Sequence, residues 1–174
     1  MTETENSIGG KDFTVEIDEC MVSKRKYNKG RILSGQVWIF GGVTRGTNEC
    51  FIEFVENRSR ETLLDVIGRR IKPGSIIASD QWIVYKNLNE LLPEMEFKHI
   101  SLNHSKNFVN PDDLNAHTQN IEAFWSLHKR KLRLRGGTNY RNNIEYYFGE
   151  HLYRNLHKFD LFEVMIDRIA NYFG

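Results

Sequence analysis

Three acids stand where carboxylate chemistry could be done: Asp18 in "VEIDE", Asp80 in "ASDQW" and Glu122 in "HTQNIEAFW". Brought together, three carboxylates repel one another and hold raised pKa values unless a cation sits between them. Magnesium and similar hard ions prefer such oxygen ligands and complete their shells with water and phosphate oxygens. Two such ions can activate a water or hydroxyl and stabilise the leaving oxygen of a phosphodiester. Each acid alone also has a plainer reading. Asp80 fits the N-cap of a following helix, and Glu122 complements a helix N-terminus. Asp18 shares a strand face with Glu16, so either could be the exposed one.

The segment around Glu122 says more. Ile121, Phe124, Trp125, His128 and Leu132 recur at helical spacing and make a core face. Beside them Glu122, Ser126, Lys129 and Arg133 form a polar stripe. An acid that binds metal, followed along one stripe by cations, would hold phosphates next to the reacting bond. A solvated stripe of mixed charge has the same pattern. Trp82 and Trp125 read as core residues.

The elements that must position these acids are legible as a series. "FTVEIDEC" alternates apolar and polar residues and reads as a strand ending near Asp18. "MVSKRKYNKGR" is a basic loop or hairpin arm, and "LSGQVWIFGGVTR" and "ECFIEFVE" are two strands joined by a turn at "RGTN". "SRETLLDVIGRRI" is a helix opened by Ser or Arg, with Leu63, Leu64, Ile67 and Ile71 at helical spacing. "SIIASD" is a short buried strand, "QWIVYKNLNELL" a helix stopped by Pro93, and "FKHISLN" a fifth strand. The loop "HSKNFVNPDDLNA" leads into the helix of Glu122, and a helical region follows "RGGTN" to Gly174. Three strands, then helices alternating with strands, make an α/β domain whose first three strands form an antiparallel meander. Strand ends and helix starts in such a sheet gather in one crevice.

The chain has 174 residues, 40% hydrophobic and 12% aromatic, enough for one domain that buries about 70% of its unfolded surface. Residues 1–12 read as a disordered or extended segment and residues 13–174 as the domain. No apolar run approaches the roughly 20 residues of a membrane span. The polar start "MTETENSIGGKD" is no signal peptide, and Cys20 and Cys50 make neither a disulfide framework nor a zinc pattern. An intracellular location, with no membrane partner, follows. The net charge of +1 hides two basic stretches. Lys24, Arg25, Lys26, Lys29, Arg31 and Arg45 lie in an acid-free run, as do Lys129, Arg130, Lys131, Arg133, Arg135 and Arg141. Such patches on a near-neutral chain point to a local polyanion site.

Taken together, "GGKDFTVEIDECMVSKRKYNKGR", "GQVWIFGGVTR", "ENRSRETLLDVIGRRIKPGSIIASDQWIVYKNL", "HISLNHSKNFVNP" and "AHTQNIEAFWSLHKRK" resemble the catalytic domain of the ISXO-like, Merlin-superfamily DDE transposases. The resemblance runs from about Gly9 to about Lys158. It implies a ribonuclease H-like fold, a mixed sheet flanked by helices. It implies Asp18, Asp80 and Glu122 as the catalytic carboxylates, holding two magnesium or manganese ions. A water would free a 3′-hydroxyl at a transposon end, and that hydroxyl would attack target DNA, with no covalent protein nucleophile. Lys24, Arg25, Lys26, Lys129, Arg130, Lys131 and Arg133 would bind DNA. Asn103 and His104 in "NHS", and His117, match accessory motifs, and Arg154 lies near the arginine of the family's closing helix. The resemblance further implies transposon-end and target DNA as partners, a homodimer across two ends, and a location with chromosomal DNA, nuclear in a eukaryote. Members usually carry an N-terminal DNA-reading region, and only 17 residues precede Asp18. The expectation is a shortened or stand-alone catalytic domain, or a transposon-derived protein that has kept only binding or assembly. A nuclease acting on RNA–DNA hybrid could use the same carboxylates.

Overall fold

The computed structural model describes residues 7–23, 37–102, 118–134, 144–158 and 160–173. Its strands are β1 (Ile8–Gly9), β2 (Thr14–Ser23), β3 (Val37–Thr44), β4 (Cys50–Val55), β5 (Ile71–Lys72), β6 (Ile76–Asp80) and β7 (Lys98–Leu102). Its helices are α1 (Arg60–Arg70), α2 (Leu88–Leu91), α3 (Gln119–Leu134), α4 (Ile144–Leu156) and α5 (Leu161–Phe173). Five strands form one sheet in the order β4-β3-β2-β6-β7, and β1 pairs with β5 apart from it. As expected, β2, β3 and β4 are an antiparallel meander; β6 and β7 then add in parallel alongside β2.

Strand alternation divides the core between two faces. Val15, Ile17, Phe40, Phe51 and Ile77 point to the side covered by α1, where they meet Leu63, Val66 and Ile67. Cys20, Ile39 and Ile52 point to the other side and pack under Ile121, Phe124 and Trp125 of α3 and Phe148 of α4. Burying both faces leaves β3 apolar nearly throughout, whereas β2, in the middle of the sheet, carries Glu16, Asp18 and Glu19 among its apolar residues. Helix α1 begins where its sequence calls for it. Ser59 is the N-cap and accepts a bond from the Thr62 N–H.

Two expectations are corrected. The first strand does not end near Asp18. Pairing with β6 stops at Glu16 and Ala78, but pairing with β3 carries β2 on to Ser23, so Asp18 lies inside a strand. Nor is "QWIVYKNLNELL" one helix. Trp82 is extended, Ile83–Tyr85 makes a single 3-10 turn, and Asn87 takes a left-handed φ of 62° before α2 starts. Asn tolerates that conformation because its short amide can bond locally. The break lets Tyr85 and Leu88 both reach the core, at 2% and 0% exposure.

Candidate active site

Asp18 and Asp80 are placed by register. Strands β2 and β6 run in parallel with Glu16 beside Ala78, so two residues further on Asp18 and Asp80 come level at the end of β6. Asp80 is the last residue of that strand, and its Oδ1 accepts the Trp82 N–H at 3.0 Å. It therefore caps a turn, not the long helix that the N-cap reading required.

Glu122 reaches the same region because α3 is pinned to β2. Glu16, fully buried, accepts the Asn120 and Ile121 backbone N–H groups on Oε2, at 2.9 and 3.0 Å. Its Oε1 accepts the Asn120 side-chain amide and Arg45 Nε, both at 2.7 Å. A carboxylate on the first N–H groups of a helix satisfies donors that have no partner within the helix. Glu16 and Asp18 share one face of β2, so the clamp sets the first turn of α3, with Glu122, over Asp18. Glycine at position 41, opposite Asp18 on β3, lets the helix approach. A Cβ there would stand 2.5 Å from Cη2 of Trp125 and 2.9 Å from the Phe51 carbonyl oxygen.

The electrostatics register this convergence. Burial first, then the charges of Asp80 and Glu122, push the Asp18 carboxyl from 3.8 up to about 6, against a bond from the Glu19 N–H. Glu19, pointing to the α1 side, is driven from 4.5 to about 8 by burial and by the charges of Asp18 and Asp80, with Arg58 opposing. Lys129 of α3 lies beside Cys20, two residues along β2 from Asp18; burial outweighs its pull and raises the thiol above 9.0. The donor set, carboxylate oxygens at a partly buried strand end, is the chemistry of a hard divalent cation. In this arrangement Glu122 Oε1 accepts from Thr118 Oγ1 at 3.2 Å. Among the described residues no three His, Cys, Asp or Glu side chains stand close enough to enclose one ion.

Comparison with known proteins decides the family. The ISXO2-like transposase domain matches residues 8–155. The chain belongs to that family. An uncharacterised transposase-like protein of Haemophilus influenzae is 33% identical over 79 residues, which are 45% of this chain and 58% of that protein. The chain thus matches little more than half the length of this curated relative. Among solved structures, the catalytic core domain of HTLV-2 integrase, in complex with magnesium and in a dimeric form, aligns with a TM-score of 0.50 and 11% identity. That alignment covers 83% of this transposase domain and 86% of the core. The BIV integrase catalytic core aligns at 0.50 and 10% identity, over 92% and 98%. A chain of the simian T-cell lymphotropic virus intasome, in complex with PP2A regulatory subunit B56 gamma, aligns at 0.52 and 11%, over 85% and 49%. The fold is therefore ribonuclease H-like, as the family resemblance implied.

Lys129 and Arg130 are exposed on α3, Lys131 is half-buried, and Arg133 lies on the same helix. Lys24, Arg25, Lys26, Asn103, His104 and His117 lie outside the described residues. Two features of the site escaped the sequence. Glu16 carries no local sign of its role, because its partners are more than 100 residues away at Asn120 and Ile121. Trp82 is half-buried and packs against the α1-side core, as expected, but its ring also lies 5.0 Å from the guanidinium carbon of Arg58, which the sequence does not signal.

Proposed function

We propose that this transposase domain cuts and joins DNA by metal-dependent phosphodiester chemistry, with Asp18, Asp80 and Glu122 as the metal-holding carboxylates. The observation that carries the reading is the Asp18 carboxyl, half-buried and pushed up to about 6 with the charges of both Asp80 and Glu122 acting on it. An acid in that position gains most from a cation between the three. Divalent ions held there would lower the pKa of an attacking water or hydroxyl and neutralise the leaving oxygen. The chain's own residues arrange the rest. Glu16 fixes the start of α3 so that Glu122 faces Asp18, and Trp125, 4% exposed, closes the site on the helix side against water. Lys129 lies beside Cys20, two residues along β2 from Asp18, where it would hold a neighbouring phosphate. Cys20 stays protonated and is no nucleophile.

Transposon ends and target DNA are the proposed substrates, with magnesium or manganese as the metal and two ions as its number. A homodimer is the proposed working unit. A second reading, a domain that has lost cleavage and keeps DNA binding, is favoured by the Thr118–Glu122 bond and the open spacing of the acids. A nicking and strand-joining assay on labelled DNA separates the two, with magnesium or manganese, comparing the native protein with Asp80→Ala. Metal-dependent cleavage abolished by the substitution supports catalysis. No cleavage by either protein, with DNA bound by both, supports the second reading.

A further inference from the structure

On the α1 side of the sheet, opposite Lys129, Arg58 sits in the loop between β4 and α1. Its guanidinium carbon stands 3.8 Å from the ring centre of Trp38 and 5.0 Å from that of Trp82. The nearest acid is Glu19, whose Oε2 is 4.0 Å from Arg58 Nη1, with the arginine side chain 40% exposed. An arginine serving only to neutralise a buried carboxylate closes a fork of bonds about 2.8 Å long. Arg58 does not. Among the described residues its guanidinium makes no hydrogen bond, and two indoles flank it. A cation held in this way has lost its rotamer freedom in advance while its N–H donors remain unspent, which lowers the cost of gripping a ligand.

Its position gives the ligand. Trp82 is the residue whose N–H caps Asp80, so Arg58 stands one side chain away from the end of β6. Glu19, next to Asp18 on β2, brings its Oε2 to 4.0 Å from Arg58 Nη1, so the arginine also stands beside the strand that carries Asp18. Lys129 lies beside Cys20 on the α3 face of the sheet, and Arg58 stands on the other face. We propose that Arg58, seated on Trp38 and Trp82, is a phosphate clamp that grips the backbone of the DNA strand entering the carboxylate crevice from the α1 side. The proposal rests on the DNA-directed reading of the site and adds to it a contact on the far side of the sheet from the basic helix.

The test is the binding of a fluorescent DNA duplex, followed by anisotropy across a range of salt concentrations with calcium as the divalent ion. Native protein, Arg58→Ala, Arg58→Lys and Lys129→Ala are compared, and a melting curve of each checks folding. Arg58→Ala is expected to weaken binding about tenfold and to lower the salt slope by about 0.9. Arg58→Lys keeps the charge but lacks the flat fork, so it should retain the slope and weaken binding by roughly threefold. This variant decides the matter if Arg58→Ala fails to fold. Unchanged affinity in Arg58→Ala and Arg58→Lys would overturn the clamp while leaving Lys129 and the DNA-directed reading intact. Weaker binding of Arg58→Ala with an unchanged slope would also overturn it, because a base, not a phosphate, would then be the contact. A native protein that binds no DNA would remove the DNA-directed reading itself.

Discussion

Replacing Glu16 by glutamine keeps the shape of the side chain and removes its charge, so it probes the clamp on α3 without opening a cavity. The carboxylate accepts four bonds, from the Asn120 and Ile121 backbone, the Asn120 amide and Arg45 Nε. Glutamine can turn its oxygen to the two backbone N–H groups. Its amide NH2 then faces two further donors, the Asn120 amide and the Arg45 guanidinium, and neither bond can form. Breaking one partner of a buried ion pair costs about 3–5 kcal/mol. Arg45, 16% exposed, recovers some hydration, so the lower end applies. A loss of about 3 kcal/mol corresponds to a fall in melting temperature of roughly 6–12 °C for a chain of this size. Urea denaturation gives the free energy directly, and an unchanged m value would show that the unfolded state is not the cause. A loss below about 1 kcal/mol would refute the clamp. The same variant should weaken divalent-metal binding, because the first turn of α3 carries Glu122. Full stability loss with unchanged metal affinity would leave Glu16 structural only.

Two further expectations follow from the same geometry. Without metal, the Asp18 carboxyl, raised to about 6 in the fold, gives stability that is present below its unfolded value near 4 and lost as pH rises through 6. Asp18→Asn should therefore be more stable than native protein at pH 7, by about 1–2 kcal/mol after allowing for partial exposure, and no more stable at pH 4; melting curves at both values, with and without magnesium, check this, and magnesium should stabilise only the native protein. Gly41→Ala drives a methyl into the Trp125 ring and the Phe51 carbonyl, which should cost about 1–3 kcal/mol in urea denaturation. Trp125→Phe in the same chain should recover part of that loss, and no recovery would show that the contact is not the cause.

The strand that carries Asp18 was legible because apolar and acidic residues alternate along it: Val15 and Ile17 face α1, Glu16 and Asp18 face α3. The core stripe of α3 was legible for the corresponding reason, and Ile121, Phe124, Trp125, His128 and Leu132 are all buried. The segment after Asp80 reads as a helix because Trp82, Tyr85 and Leu88 recur at three-residue spacing, which a helix and a chain of tight turns share. Nothing local marks Asn87 as left-handed there; tertiary packing of Tyr85 and Leu88 decides it. Alternation put Glu16 and Asp18 on one face but could not say which was buried, since the answer lies in α3, 104 residues away. Arg58 gave no signal at all. Its seat is made by Trp38 from β3 and Trp82 from the turn after β6, which only the fold brings together.

The most direct test of the three carboxylates as one metal site is a calorimetric titration with manganese at pH 7. Native protein is expected to bind saturably, and Asp18→Asn, Asp80→Asn and Glu122→Gln should each weaken binding by at least about tenfold. Equal manganese affinity in all four proteins, or no binding by the native one, would contradict a shared site at Asp18, Asp80 and Glu122.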